Sequence, residues 1–164
     1  MSTAIGRRRY LTNFEHHRLP HLFTDVLVIG SGVAGLQAAM HAAEGADVLL
    51  VTKDKADLSA TSWAQGGIAA ATGADDRPEF HARDTLEVAC GLAHESVVQH
   101  ITANAPALVA ELQQRGARFD HVGDALEAGR EGGHSHSRVI HAADATGREM
   151  TRALLAAARA HPRI

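Results

Sequence analysis

The pattern of apolar positions early in the chain predicts a strand, a helix and a second strand. Residues 25–30 form a short aliphatic run that ends in glycine, which is typical of a buried parallel strand. Residues 33–44 are rich in alanine and place Leu36 and Met40 at helical spacing. Residues 47–52 repeat the aliphatic pattern of the first run. This order indicates a βαβ unit with two parallel strands.

Helical and strand patterns continue along the rest of the chain. Apolar spacing predicts helices over residues 78–89, 95–115 and 146–160, and a strand over residues 138–141. We expect Pro106 to kink or divide the second of these helices, because proline removes a backbone hydrogen bond. The apolar positions expected to mark the buried face of that helix are Val98, Ile101, Leu108 and Leu112.

The chain divides into an N-terminal extension and one α/β unit. Residues 1–24 are polar, rich in histidine and arginine, and without periodicity, so we interpret them as a flexible extension. Residues 25–164 contain no internal repeat and no linker, and they predict one Rossmann-like α/β domain. The pattern stops where a parallel sheet would receive its next strand. We therefore expect this domain to be an incomplete part of a larger protein.

Charge and cysteine content exclude several classes of function. The chain has 16 Lys+Arg against 19 Asp+Glu, which gives no electrostatic case for binding nucleic acid or an anionic membrane. The single cysteine excludes an internal disulfide and a cysteine-ligated iron–sulfur cluster. The basic run at residues 7–9 is followed by polar residues and not by the apolar segment of an export signal. We expect a cytoplasmic chain with no membrane anchor and no nucleic-acid partner.

A glycine-rich turn follows the first predicted strand and opens the first predicted helix. Its residues are Gly30, Ser31, Gly32, Val33, Ala34 and Gly35. In the G-x-G-x-x-G pattern, the first glycine permits a tight turn and the second lets a pyrophosphate approach the backbone. The third allows the helix to pack close to the strand. The motif predicts dinucleotide binding, and the alternative is a tight turn without a ligand.

The end of the second strand departs from the usual dinucleotide pattern. An acidic residue that binds ribose is expected there, but the sequence has Thr52 followed by Lys53. The Thr52 hydroxyl can still form a hydrogen bond with a ribose, and Lys53 offers a cation near the adenosine half of the ligand. The alternative interpretation of Lys53 is a solvated loop lysine.

A loop of small and polar residues precedes the next short strand. Residues 61–68 combine hydroxyls, an amide and two glycines, and their backbone amides can contact the polar edge of a flat ring system. The length of the loop, without clear structure of its own, suggests that it follows a ligand. A glycine turn that leads into a strand is the alternative.

Five segments together resemble a known family. They are residues 30–35, 52–53, 64–69, 130–136 and 141–147, and they occur in order between residues 25 and 162. They are similar to the L-aspartate oxidases, a family of the succinate dehydrogenase/fumarate reductase flavoprotein superfamily. The Ala-Gln-Gly-Gly segment is common to the superfamily, whereas Arg-Glu-Gly-Gly-His-Ser-His is much more specific to the aspartate oxidases.

The resemblance implies FAD as the cofactor and a set of residues around it. It identifies residues 25–164 as the N-terminal part of the FAD-binding domain, without the capping and C-terminal helical domains. Respiratory relatives commonly attach FAD through a histidine where this chain has Ala60, so noncovalent binding is expected. The expected cofactor-binding residues are the glycine turn with Thr52, Lys53, Ala60, Thr61, Ser62, Trp63, Ala64, Gln65, Gly66 and Gly67.

The resemblance also implies a reaction. L-Aspartate would be oxidised to iminoaspartate by hydride transfer to the flavin, which oxygen or fumarate would reoxidise. This reaction is the first step of NAD biosynthesis through quinolinate, so quinolinate synthase is a candidate partner. The general base would lie on the capping domain beyond Ile164, so the chain by itself is not expected to turn over.

Glu131 is the expected substrate-orienting residue. By similarity it lies near the substrate amino group, where a carboxylate complements an ammonium and repels a plain dicarboxylate. A surface glutamate in a glycine loop is the alternative. Ala60 and Glu131 disfavour a fumarate reductase or succinate dehydrogenase flavoprotein, which remains one rival interpretation. A nucleotide-binding module without catalysis is the other.

Several further residues receive structural interpretations. His134, His136 and His141 lack a recognisable ligand spacing, so no metal site is expected. Three acidic residues are interpreted as solvated helix faces, namely Asp84, Glu87 and Glu95. Cys90 is interpreted as a small buried residue.

Overall fold

The computed structural model describes residues 18–164. Residues 1–17 lie outside the described part, so the flexible extension over residues 1–24 stays a prediction. Its last residue is held by the domain, since the Thr24 hydroxyl donates a hydrogen bond of 2.7 Å to the carbonyl of Asp47. No helix within residues 18–164 is both long and apolar enough to span a membrane.

The predicted βαβ unit is confirmed. Strand β1 (Val26–Ile29) is followed by helix α1 (Val33–Ala42) and strand β2 (Val48–Val51). The two strands are parallel, with Val26 opposite Val48 at one end and Ile29 opposite Val51 at the other. Helix α1 packs against both strands and buries Leu36 and Met40, as the helical spacing predicts.

The prediction that β1 is fully buried is wrong for one of its two faces. Leu27 and Ile29 point away from α1 and are 55% and 79% exposed. Successive residues of a strand face opposite sides of the sheet, so a single packed helix can cover only half of them. Within residues 18–164 this face of the parallel pair lies open.

The remaining elements form two small antiparallel sheets and three helices. They are β3 (Ile68–Ala69), α2 (Pro78–Val88), α3 (Glu95–Gln114), β4 (His121–Val122), β5 (Ala125–Leu126), β6 (Ala128–Gly129), β7 (Val139–Ile140) and α4 (Thr146–Ala160). Strand β3 pairs with β7, which pairs in turn with β6, and β4 pairs with β5. The three helices and the strand near residue 139 confirm the elements predicted from the sequence.

Helix α3 differs from the prediction in two respects. It runs without interruption through Pro106, so the helix is not divided there. Its buried residues are Val98, Thr102, Ala105, Val109 and Leu112. Ile101 and Leu108, expected on the buried face, are 59% and 42% exposed because they lie at the edge of this stripe.

The core lies where α1, α3 and α4 meet strand β7. Its fully buried members include Leu36, Val109, Ile140 and Leu154. Small residues allow close approach elsewhere. A Cβ on Gly147, in the first turn of α4, would overlap the carbonyl oxygen of Thr61. The α4 helix therefore rests directly on the backbone of the loop that precedes β3.

Candidate functional site

The chain itself requires two glycines of the turn between β1 and α1. Gly30 has φ of +111°, a backbone conformation that other residues rarely adopt. A Cβ on Gly35 would overlap the carbonyl oxygen of Gly30. The expectations of a tight turn and of close helix–strand packing are both met by this geometry.

Gly32 is different, because nothing within residues 18–164 requires glycine there. Its backbone is extended, with φ −73° and ψ 176°. A Cβ would lie 3.5 Å from the Thr61 hydroxyl oxygen, which is ordinary van der Waals contact. The bare backbone at Gly32 leaves an open approach for a group from outside the chain, as a pyrophosphate would need. This geometry fits FAD.

The N-terminus of α1 also fits an anion. The first N–H groups of any helix lack intrahelical acceptors, and they form the positive end of the helix dipole. No side chain of the N-cap residue and no acidic residue of the first turn competes for them. The Val33 N–H donates a hydrogen bond of 3.1 Å to the hydroxyl of Thr61, which joins the glycine turn to the loop at residues 60–67.

The end of β2 lies beside the glycine turn. The buried Ser31 hydroxyl donates a hydrogen bond of 3.2 Å to the hydroxyl oxygen of Thr52. A hydroxyl both donates and accepts, so Thr52 can bond to Ser31 and to a ribose oxygen together. Lys53 is the next residue and is exposed. Both arrangements suit the adenosine half of a dinucleotide.

The loop at residues 60–67 has more structure than the sequence suggested. It contains a 3-10 turn over Thr61–Trp63. The N–H of Gly147 donates a hydrogen bond of 3.1 Å to the carbonyl of Ala64, which fixes the loop to α4. Gln65 and Gly66 are exposed, so their polar groups are accessible to a ligand.

His141 has a position that sequence reasoning missed. A Cβ on Gly67 would lie 2.8 Å from its Cε1 atom, and one on Gly129 would lie 3.4 Å from its Nε2 atom. The imidazole therefore lies against Gly67, which precedes β3, and near Gly129, which ends β6. These two glycines were the only sequence signal for its position.

Glu131 lies in what we call the Glu131 loop, residues 130–137, between β6 and β7. A tight turn forms where the N–H of His134 donates to the carbonyl of Glu131 at 3.2 Å. The Arg130 side chain closes the same turn through a hydrogen bond of 2.7 Å to the carbonyl of His134. The Glu131 side chain is exposed at the tip and is accessible to a substrate.

The sheet topology separates the 60–67 loop from the Glu131 loop. Gly67 precedes β3, whose Ile68 pairs with Ile140, whereas the Glu131 loop follows β6, whose Gly129 pairs with Val139. The 60–67 loop and the Glu131 loop thus leave opposite ends of the three-stranded sheet. The glycine turn, Thr52 and Thr61 form one group of residues, and Glu131 belongs to a second.

A buried ion-pair cluster adjoins the Glu131 loop. The fully buried Arg138 donates two hydrogen bonds to the Asp76 carboxylate, at 2.8 and 2.9 Å, and one of 2.6 Å to Asp84. The same Asp84 oxygen accepts the N–H and the hydroxyl of Ser135, at 2.7 and 2.6 Å. We call these four residues the Arg138 cluster.

The interpretation of Asp84 as a solvated residue is wrong, since it is only 5% exposed. Burial alone would raise the pKa of its carboxyl. Hydrogen bonds from Ser135 and Arg138 outweigh burial and hold this pKa below its ordinary value of 3.8. The pKa of Asp76 is likewise lowered, because Arg138 and the Arg77 N–H outweigh the effect of burial. Both residues are therefore carboxylates at neutral pH.

Cys90 also differs from its prediction, because its side chain is exposed. It lies in the turn after α2 and has φ of +49°. Helical spacing alone could not predict the burial of Asp84 or the exposure of Cys90. The charged partner of Asp84, Arg138, lies far away in the sequence, and the turn at Cys90 depends on how α2 meets α3.

No group of three residues with histidine, cysteine or carboxylate side chains within residues 18–164 is arranged to hold a metal ion.

A groove of about 1040 Å³ lies beside α4. Ser62 and Trp63 contribute to its wall, together with basic residues such as Arg148 and Arg159. None of residues 30–35 lines it. Because a dinucleotide must reach the glycine turn, this groove is not where the pyrophosphate would bind.

Comparison with known proteins identifies the family. Residues 25–164 match the family described as FAD binding domain. The L-aspartate oxidase of Nostoc sp. is 44% identical over 146 residues, which cover 89% of this chain and 25% of that protein. The chloroplastic L-aspartate oxidase of Arabidopsis thaliana is 46% identical over 143 residues, which cover 87% of this chain and 22% of that protein. The chain thus spans about a quarter of the length of these curated relatives.

Solved structures agree with the same superfamily. E. coli quinol fumarate reductase FrdA matches with a TM-score of 0.81 at 31% identity, over 86% of this chain and 25% of that chain. Mycobacterium smegmatis Sdh1 matches with a TM-score of 0.78 at 36% identity, over 82% of this chain and 23% of that chain. The two curated relatives confirm the resemblance to the L-aspartate oxidases. The family match and the solved structures confirm the α/β fold class and the flavoprotein superfamily. The chain belongs to the FAD binding domain family, and its cofactor is FAD.

Proposed function

We propose that the chain provides the FAD-binding part of an L-aspartate oxidase. The reaction converts L-aspartate to iminoaspartate, and the substrate loses a hydride from its α-carbon and a proton. The observation that carries this proposal is Glu131, an exposed residue at the start of a tight turn, in a loop whose sequence resembles that of the aspartate oxidases. Identities of 44% and 46% to two such enzymes support it.

Each group of residues has a separate task in this proposal. FAD, when bound, supplies the hydride acceptor. Gly32 and the N-terminus of α1 hold the pyrophosphate, and Thr52 and Lys53 hold the adenosine half. The 60–67 loop contacts the flavin ring through backbone groups. Glu131 pairs with the substrate ammonium and so fixes which end of L-aspartate faces the flavin.

The test of this function is the substitution Glu131→Gln in the whole FAD-loaded protein. This change keeps the shape of the side chain and removes its charge. We expect kcat/KM for L-aspartate to fall by an amount equivalent to about 1–3 kcal/mol, the scale of a hydrogen bond to a charged group. Succinate, which has no ammonium, should inhibit as well as before or better, because a repulsion between like charges is removed.

Glu127→Gln is the matched control, since Glu127 is an exposed glutamate just before β6. It should leave kcat/KM for L-aspartate and the inhibition constant of succinate unchanged. Equal losses of L-aspartate turnover and succinate binding in Glu131→Gln would show that Glu131 supports the loop and does not bind the ammonium. A protein that binds FAD and never oxidises L-aspartate would contradict the proposed function itself.

A fumarate reductase or succinate dehydrogenase type of flavoprotein is the second candidate. The solved structures favour it, since FrdA and Sdh1 match most of this chain. Succinate-dependent reduction of the bound flavin, measured without oxygen, distinguishes the two candidates. An aspartate oxidase should be reduced by L-aspartate far faster than by succinate.

Three further points complete the proposal. Oxygen or fumarate reoxidises the flavin, which stopped-flow mixing of the reduced protein with each acceptor would test. The iminoaspartate is passed to a quinolinate synthase, and co-purification of the two proteins would test a direct contact. A cytoplasmic location is also part of the proposal, and cell fractionation would test it.

A further inference from the structure

The Arg138 cluster joins three separate parts of the chain. Asp76 precedes helix α2, Asp84 lies within it, and Ser135 and Arg138 lie at the end of the Glu131 loop and the start of β7. Arg138 places three hydrogen bonds of 2.6–2.9 Å on the two carboxylates. Its side chain and that of Asp76 are completely buried.

Stability alone does not account for this arrangement. Removing two carboxylates and a guanidinium from water is costly, and apolar residues of similar volume often give an equally stable protein. What a fully hydrogen-bonded charged cluster provides is a single fixed geometry, because each donor direction matches one acceptor. The question is which part of the molecule this geometry fixes.

The hydrogen bonds that Asp84 accepts fix the Glu131 loop. One of its oxygens accepts three hydrogen bonds, and two of the three come from Ser135. Ser135 directly follows the tight turn that carries Glu131 at its tip. At the other end, the N–H of Arg138 donates a hydrogen bond of 3.0 Å to the carbonyl of Gly129, which closes the base of the loop.

The loop is therefore held at two points while its tip stays exposed. Gly133 adds a third constraint, because it has φ of +85° and packs against Val88 of α2 so closely that a Cβ would lie 2.5 Å from that side chain. The backbone on both sides of Glu131 is thus fixed against α2 and β7. Glu131 is therefore an exposed residue on a loop whose backbone is held by these three contacts.

We propose that Asp84, together with Arg138, is a positioning residue that sets the place of the Glu131 carboxylate relative to the substrate ammonium. Asp84 touches neither substrate nor cofactor, and it acts through Ser135. The proposal rests on the proposed function, in which Glu131 distinguishes L-aspartate from a plain dicarboxylate.

The experiment uses Ser135→Ala in the whole FAD-loaded protein. This variant removes the hydroxyl that bonds to Asp84, and with it the contacts of that hydroxyl with His136 Nδ1 at 2.9 Å and Arg138 Nη2 at 3.4 Å. The Ser135 N–H bond to Asp84 and the three hydrogen bonds from Arg138 to the two carboxylates do not involve the hydroxyl. We expect kcat/KM for L-aspartate to fall by about tenfold, since a misplacement of about 1 Å can cost up to ~10²-fold. The succinate inhibition constant and the FAD dissociation constant should stay within about twofold, because neither depends on an ammonium partner.

A readout independent of turnover is amide hydrogen exchange of the peptide that covers residues 130–135. Exchange should be faster in Ser135→Ala than in the unsubstituted protein, because the loop has lost an anchor. Ser137→Ala is the matched control, since Ser137 is exposed in the same loop. It should leave exchange and kinetics unchanged.

A second variant, Asp84→Asn, removes the charge and weakens both bonds to Ser135. It should show the same selective fall in kcat/KM for L-aspartate, and the fall should be larger than in Ser135→Ala. Glu149→Gln is its control, because Glu149 likewise accepts a backbone N–H, from Arg118, and pairs with an arginine, Arg152, but lies on α4. If Asp84→Asn does not fold, Ser135→Ala decides the matter alone.

Three results would overturn the inference. One is normal L-aspartate kinetics in Ser135→Ala. Another is a loss shared equally by L-aspartate, succinate and FAD, which would show a purely structural role. The third is an unsubstituted protein that binds FAD without oxidising L-aspartate. That result is seen before any substitution, so failure of the proposed function is distinguishable from failure of the positioning role.

Discussion

At the scale of single residues, glycine occurs at three positions of one motif for three different physical reasons. Gly30 is required by its positive φ, and Gly35 by contact with the carbonyl of Gly30. Gly32 satisfies neither condition, because its backbone is ordinary and a Cβ there would make only van der Waals contacts with Thr61 and Ser59. A ligand that must lie against the bare backbone is the remaining reason for glycine at that position.

This difference leads to a prediction for Gly32→Ala. The added methyl group meets only ordinary contacts in the protein, so the fold should be retained. It stands in the path of the pyrophosphate, so FAD affinity should fall by tenfold or more, about 1.4 kcal/mol. Titration of the apoprotein with FAD, followed by flavin fluorescence, measures this effect.

Gly45→Ala is the control for that titration. Gly45 follows α1, and a Cβ there would meet nothing within 4 Å. FAD affinity should be unchanged in this variant. Equal FAD affinity in Gly32→Ala and Gly45→Ala would mean that the pyrophosphate does not approach the backbone at Gly32.

At the scale of elements, the Arg138 cluster ties helix α2 to strand β7 and makes this contact dependent on pH. The pKa values of Asp76 and Asp84 are lower in the folded protein than the ordinary value of 3.8. The unfolded chain therefore binds more protons than the folded one below that value. The resulting stability is fully present above pH 3.8 and is lost as the pH falls toward the lowered values.

We predict that Ser135→Ala makes this loss of stability shallower. Removal of one hydrogen bond to Asp84 brings its pKa back toward the ordinary value, so fewer protons are taken up on unfolding in acid. Denaturant midpoints measured across a series of acidic pH values would show the change. Identical pH profiles for Ser135→Ala and the exposed-site variant Ser137→Ala would show that the Ser135 hydroxyl does not lower the pKa of Asp84.

At the scale of the whole molecule, the 60–67 loop is held by its neighbours and offers no group for covalent attachment at Ala60. Thr61 bonds to the start of α1, and Ala64 bonds to the start of α4. An alanine methyl group cannot form a bond to the flavin. Noncovalent contacts with the glycine turn and the loop would then hold FAD.

We therefore predict that heat or acid releases all of the flavin from the purified whole protein. The released flavin is measured by absorbance of the supernatant, and the mass of the polypeptide shows whether any remains attached. A polypeptide that carries the added mass of a flavin after denaturation would contradict noncovalent binding.

The sequence by itself determined the elements whose signals are local. The βαβ unit, the glycine turn and helices α2, α3 and α4 all follow from patterns within a few turns of chain. The same is true of the motifs that indicate FAD and place Glu131 in a glycine-rich loop. Local patterns suffice for these because backbone geometry and side-chain periodicity act over neighbouring residues.

Tertiary structure alone decided which polar residues are buried and which apolar residues are exposed. Asp84 is buried because Arg138, distant in sequence, supplies the opposite charge, while Ile29 is exposed because α1 covers one face of the sheet only. The edge of the buried stripe on α3 likewise depends on the neighbours of that helix. Burial depends on contacts between segments that are distant in sequence. The helical or strand periodicity of an element does not show which other segment will pack against it.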